Sequence, residues 1–270
     1  MHSHQRRFGQ LPIGFWVGLL AIAIVVVGCS RLKSDNSTAT GGSSSNSSSS
    51  TSTPAAPASA AGTPTSWETN ATSLNGQDGQ TMTLTCSPGG QSHTVWGSDI
   101  YTSDSSICTA AVHSGLITFE KGGTVTIELR AGRSIYGASE RNGVTTSTYG
   151  AWQHSFVFKT PNTDAVVRAA DEATPLLWNS NAGIVNFEVG KTIKFSCPAN
   201  GKEASVWGTD TYTIDSSICT AGVHAGKIQL EGGGSVTIEM RPGESSYKGS
   251  TRNGIKTNDY GQYGSSFIVK

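Results

Sequence analysis

Set against itself at an offset of 111 residues, the chain matches itself without a gap from residue 67 onward. Trp67 falls on Trp178, Cys86 on Cys197, Trp96 on Trp207, Cys108 on Cys219, His113 on His224 and Tyr149 on Tyr260. About half of the aligned positions are identical. A period of this length is too long for a solenoid unit and suits a whole small domain. Each copy must therefore build its own core. The copies run over residues 67–159 and 178–270, with residues 160–177, bounded by Pro161 and Pro175, as a linker.

Within a copy the pattern reads as α+β. Met82-Thr83-Leu84-Thr85 and Thr124-Val125-Thr126-Ile127-Glu128-Leu129 alternate as half-buried strands do, and Ser155-Phe156-Val157-Phe158 closes the copy as a last strand. Val95-Trp96-Gly97 ends a further short strand. Asp104 to Gly115 reads as the one helix, with Asp or Ser as its cap and Gly115 placed to close it in the left-handed conformation. Asn142-Gly143 and Asn253-Gly254 are tight-turn dipeptides.

The five cysteines are Cys29, Cys86, Cys108, Cys197 and Cys219. One pair per copy, at matching positions, most simply closes as Cys86–Cys108 and Cys197–Cys219. A redox pair and cross-copy bonding are the alternatives, and no C-x-x-C spacing supports the first. Closing loops of this size contributes about 3 kcal/mol in the chain-entropy model.

Cys29 stands apart, at the end of an uncharged apolar run from Leu11 to Val27 that follows Arg6 and Arg7. Val26-Val27-Gly28-Cys29 resembles the lipobox of bacterial lipoproteins, which implies cleavage before Cys29 and acylation of its thiol. Residues 1–29 are then a lipoprotein-type signal peptide, with an uncleaved signal anchor as the competing reading. Either way the remainder lies outside the cytoplasm, in the cell envelope (periplasmic or at the cell surface), where disulfides persist. Residues 30–66 are almost all Ser, Thr, Ala, Gly and Pro and have little to bury, so they read as a disordered tether.

The run VWGSDIYTSDSSICTAAVHSGLI, followed by GG-x-V-T-I-E, Y-x-x-S-x-x-NG, YG and SFVF, resembles the LCCL domain, and the second copy repeats it as VWGTDTYTIDSSICTAGVHAGKI, GGSVTIEM, YKGSTRNGI, YG and SFIV. The resemblance implies a compact α+β fold, a central helix wrapped by short β-strands with the helix cysteine disulfide-bonded. It also implies a binding role without catalysis, with lipopolysaccharide and other surface ligands suggested. Family members in animals often carry two disulfides; this chain has one cysteine pair per copy.

Net charge is zero, with 19 basic and 19 acidic residues, so no basic face selects nucleic acid. No H-E-x-x-H, G-x-S-x-G or D-x-D-x-D-G motif occurs. Catalytic and metal-ligating residues are therefore assigned to none, and no cofactor is expected. His113 and His224 read as helix-end histidines bonded locally, Ser105-Ser106 and Ser216-Ser217 as caps, and Asp99/Asp210 and Asp104/Asp215 as turn and cap residues. Glu128 and Glu239 read as solvent-facing. Of the aromatics, most are core, and Tyr149 is the best exposed candidate. The candidate ligand-binding residues are Tyr149, Tyr260, His113 and His224. His93, His154 and Trp152 occur in one copy only and are set aside. The resulting expectation is an envelope-anchored, non-catalytic binding or adhesion protein. Its partners are a membrane, through the lipid, and a glycan, lipopolysaccharide or envelope protein. A cell-envelope hydrolase or transferase using His113/His224 and a purely structural spacer are the alternatives.

Overall fold

A computed structural model describes residues 61–270. The signal-type segment 1–29 with Cys29, and the tether up to residue 60, lie outside the described residues. In the first module the elements are β1 (Thr63–Thr65), β2 (Thr81–Cys86), β3 (Gly97–Ser98), β4 (Ile100–Thr102), α1 (Ile107–His113), β5 (Gly123–Arg133), β6 (Glu140–Arg141), β7 (Val144–Thr145) and β8 (Trp152–Phe158). A helix α2 (Thr163–Glu172) follows. The second module repeats the series as β9 (Thr174–Pro175), β10 (Thr192–Cys197), β11 (Gly208–Thr209), β12 (Thr211–Thr213), α3 (Ile218–His224), β13 (Gly234–Pro242), β14 (Thr251–Arg252), β15 (Ile255–Lys256) and β16 (Ser265–Val269).

Each module is one six-stranded sheet, in the order β1-β2-β5-β8-β4-β3 and its counterpart β9-β10-β13-β16-β12-β11, plus a small hairpin, β6–β7 or β14–β15. All pairings are antiparallel except the edge pairs β1–β2 and β9–β10. Alternation in β5 puts Val125, Ile127 and Leu129 into the core, and in β13 Val236, Ile238 and Met240.

The helix is the centre of each core. All seven residues of α1 are buried, as are all seven of α3. A helix with no solvent face needs small side chains all round, and Cys-Thr-Ala-Ala-Val and Cys-Thr-Ala-Gly-Val supply them. Ser106 caps α1 by accepting from the Thr109 N–H, and its hydroxyl donates to the Trp67 carbonyl at 2.7 Å. At the other end Gly115 takes φ 74°, and the Gly115 and Leu116 N–H groups donate to Val112 and Ala111 at 2.8 and 3.0 Å. That is the Schellman closure. The helix starts three residues later than the sequence reading places it, because Ser105 is used elsewhere: its hydroxyl bonds the Trp96 N–H and carbonyl. Disulfides Cys86–Cys108 and Cys197–Cys219 tie each helix to the end of a sheet strand, with Cα atoms 5.8 Å apart in both.

Two segments depart from expectation. Thr63–Thr65 and Thr174–Pro175 are edge strands, so part of the tether at 30–66 and of the linker at 160–177 belongs to the sheets. Strands of two or three residues carry no period to read. The linker also forms the ten-residue α2, whose Ala170 packs with Ile100, Tyr136 and Val157 of the first module. The buried residues of this helix are Thr163 and Ala170.

Both modules belong to one compact unit. Ile135 of the first module sits in the core of the second. The Ala138 N–H donates to the Pro175 carbonyl at 3.0 Å, and a side chain at Gly137 would overlap that same carbonyl oxygen. The Arg133 guanidinium donates to the Ala170 carbonyl and pairs with Asp171, both at 3.0 Å.

Candidate functional site

The structure separates the four candidate ligand-binding residues into two groups. His113 and His224 are fully buried, 0% exposed. The Tyr101 hydroxyl bonds His113 Nδ1 at 2.8 Å and the Ser114 hydroxyl at 2.7 Å, while His113 Nε2 bonds Ser139 Oγ at 3.1 Å. Ser139 Oγ continues to Ser98 Oγ at 2.8 Å and Ser98 to Thr146 at 3.1 Å. In the second module Tyr212, Ser250 and Thr209 stand in the same places around His224. Each hydroxyl can donate to one neighbour and accept from another, so the chain can be satisfied throughout with one ring nitrogen donating and the other accepting. Every member of the chain is a hydroxyl or a ring nitrogen, so it is burial that favours the neutral imidazole. Burial, with the nearby Arg141 guanidinium, lowers the His113 pKa to about 4, and burial lowers that of His224. The same burial raises the phenol of Tyr101 and Tyr212.

The histidines are thus not in position to touch a ligand, and their expectation as ligand-binding residues is corrected. They lock the helix end instead. Asn142 takes φ 50° at the β6–β7 turn and its side-chain amide donates to the His113 carbonyl at 3.0 Å; Asn253 does the same for His224. Beside it Arg141 grips Asp99 through both oxygens, and Arg252 grips Asp210. Asp99 and Asp210 are turn residues, as the sequence reading has them, and both take positive φ. Glu128 is not freely solvated: its side chain is 13% exposed, clamped between Arg130 and Lys159, as Glu239 is between Arg241 and Lys270.

Tyr149 and Tyr260 lie on the surface, 36% and 42% exposed. Each is the middle member of an aromatic trio. Tyr149 meets Trp96 edge-on at 6.1 Å between ring centres and Trp152 at 5.7 Å. Tyr260 meets Trp207 at 6.1 Å and Tyr263 at 5.6 Å, again edge-on. The outer rings are half-buried. Paired backbone bonds hold each tyrosine in place, Tyr136 with Tyr149 and Tyr247 with Tyr260, at 2.8 and 3.0 Å. Edge-to-face contact fixes the ring planes, so each trio presents a preset aromatic surface.

Trp152 occurs in one copy only, but its position is aromatic in both. At the repeat offset Tyr263 takes its place, a different side chain with the same aromatic contact. A comparison by residue type rather than identity would have found it. Among the described residues no group of three His, Cys, Asp or Glu is placed to hold a metal ion, and no helix is long and apolar enough to cross a membrane.

The LCCL domain family model matches residues 64–156 and 176–267. The human cysteine-rich secretory protein LCCL domain-containing 2 is 33% identical over 174 residues, covering 62% of this chain and 33% of that protein. Vitrin of Bos taurus is 43% identical over 74 residues, 27% of this chain and 11% of vitrin. Clotting factor C of Tachypleus tridentatus is 37% identical over 82 residues, 30% of this chain and 8% of that protein. The chain thus spans a third or less of the length of these curated relatives.

Proposed function

From the fact that this chain belongs to the LCCL domain family and carries two of its domains in tandem, we propose that it is a non-catalytic binding protein of the cell envelope. The carrying observation is the aromatic trio, built twice from non-identical residues around an exposed tyrosine. Such a surface takes the C–H face of a sugar ring, and the ligand is a glycan-bearing envelope component, polysaccharide or lipopolysaccharide. Two trios on one chain add avidity for a repeating ligand. The closed histidine network supports the non-catalytic reading, since a general base must reach the proton that it abstracts.

The disulfides support an extracytoplasmic setting. The anchor rests on the sequence around Cys29: the thiol carries lipid and residues 30–60 give the modules reach from the membrane. Intact-mass analysis checks this, with a mature chain starting at acylated Cys29 expected and a peptide retaining Met1 counting against it.

The binding reading is tested on the full chain with polysaccharide and lipopolysaccharide panels. Tyr149→Ala and Tyr260→Ala together are expected to lower affinity at least about tenfold, and each alone by less. Negligible binding of every panel member by the unaltered chain would favour the spacer instead.

A further inference from the structure

The tandem also creates a cleft that neither module has alone, about 780 Å³ in volume, between the β6–β7 hairpin and the start of the second module. We propose that this cleft is a second binding site, and that it takes a short uncharged oligosaccharide. The proposal rests on the glycan reading above for its ligand class but uses a different surface.

Sites for small ligands occupy about 300–1,000 Å³ and are usually preformed. This one has fixed walls. Ile135 is seated in the second core, Ala138 is bonded to Pro175, and Arg133 is bonded to α2. Binding then has little ordering to offset.

The aromatic wall is Trp178, and the repeat explains its availability. Its counterpart Trp67 is 9% exposed, with the Phe119 ring 5.2 Å away. At the repeat offset Phe119 becomes Leu230, and Trp178 is only partly buried and lines the cleft. Its indole N–H donates to the Pro198 carbonyl at 3.0 Å, which fixes the ring plane. The polar wall is made of amides. Asn142 comes from the first module, Asn179 and Asn200 from the second. An amide both donates and accepts, as a sugar hydroxyl requires. Charge selects against phosphate: Arg141 and Lys202 are matched by Glu140 and Glu203, and Arg141 is already held by Asp99. No positive excess faces the cleft.

The test titrates the full chain with the N-acetylglucosamine trimer and with cellotriose as neutral probes, and with a phosphorylated lipopolysaccharide core as the anionic one. Calorimetry gives affinity and side-chain amide NMR gives position. Thr145→Trp fills the cleft from an exposed strand position and leaves the core intact; Trp178→Ala removes the stacking wall. A neutral trimer is expected to bind, with Thr145→Trp weakening it at least about tenfold and the Tyr149→Ala/Tyr260→Ala pair changing it less than about twofold. No saturable binding of either neutral probe overturns the proposal, as does tighter binding of the phosphorylated core in the cleft. If neutral binding is lost in the tyrosine pair and kept in Thr145→Trp, the cleft assignment falls and the trio surface stands.

Discussion

A buried neutral imidazole needs one hydrogen-bond donor and one acceptor, and Tyr101 and Ser139 meet His113 on both sides. Protonation would place a positive charge in a buried site beside the Arg141 guanidinium. The folded His113 gains its proton only near pH 4, against about 6.5 in an unfolded chain. Between those values the unfolded state holds more protons, so stability is complete above pH 6.5 and is lost as pH falls toward 4. For His113 the loss is roughly 2 kcal/mol after allowance for solvent screening, and His224 acts in the same direction. Urea midpoints at pH 7 and pH 4.5 measure it; a His113→Leu chain should be less stable at pH 7 and show a shallower fall. Tyr101→Phe keeps the ring packing but leaves Nδ1 without a partner. It should lower stability by about 1–3 kcal/mol at pH 7, read from the same curves.

At the scale of elements, the buried helices depend on their ends more than on propensity, since seven residues are too few to hold themselves. Ser106→Ala removes both the cap to Thr109 and the bond to the Trp67 carbonyl, and should cost about 1–2 kcal/mol by chemical denaturation. Removing the Cys86–Cys108 bond, as Cys86→Ala/Cys108→Ala, should cost about 3 kcal/mol, measurable as a shifted denaturation midpoint. These features were legible early. The alternation in Thr124–Leu129, the small residues after Ser106 and the Gly115 stop each state a local rule that the fold obeys. The hairpin Gly97–Ser98 with Ile100–Thr102 was read only as a single strand ending at Gly97, because its turn uses Asp99 with positive φ and no glycine at the tip. The role of His113 was half legible: its place at the helix end follows from sequence, but its partners Tyr101 and Ser139 come from elements that only the sheet topology brings near. Trp152 and Tyr263 share a position but not a residue type, so the repeat of identical residues does not mark them.

At the scale of the whole molecule, the pair behaves as one body. Gly137→Val would drive the first module away from Pro175 and expose Ile135. The unaltered chain is expected to melt in a single calorimetric transition, and Gly137→Val in two. The coupling was illegible in sequence because aligning the copies draws attention to what they share, whereas the junction is made from what they do not. At the repeat offset Arg133 becomes Glu244, Ile135 becomes Ser246 and Gly137 becomes Lys248. Ser246 and Lys248 are exposed. The face that receives a neighbour in the first module is, in the second, polar and blocked by a long charged side chain. A third copy following behind, or the leading end of another molecule, would find no seat there. Among the described residues the seat is therefore built once, by the first module alone.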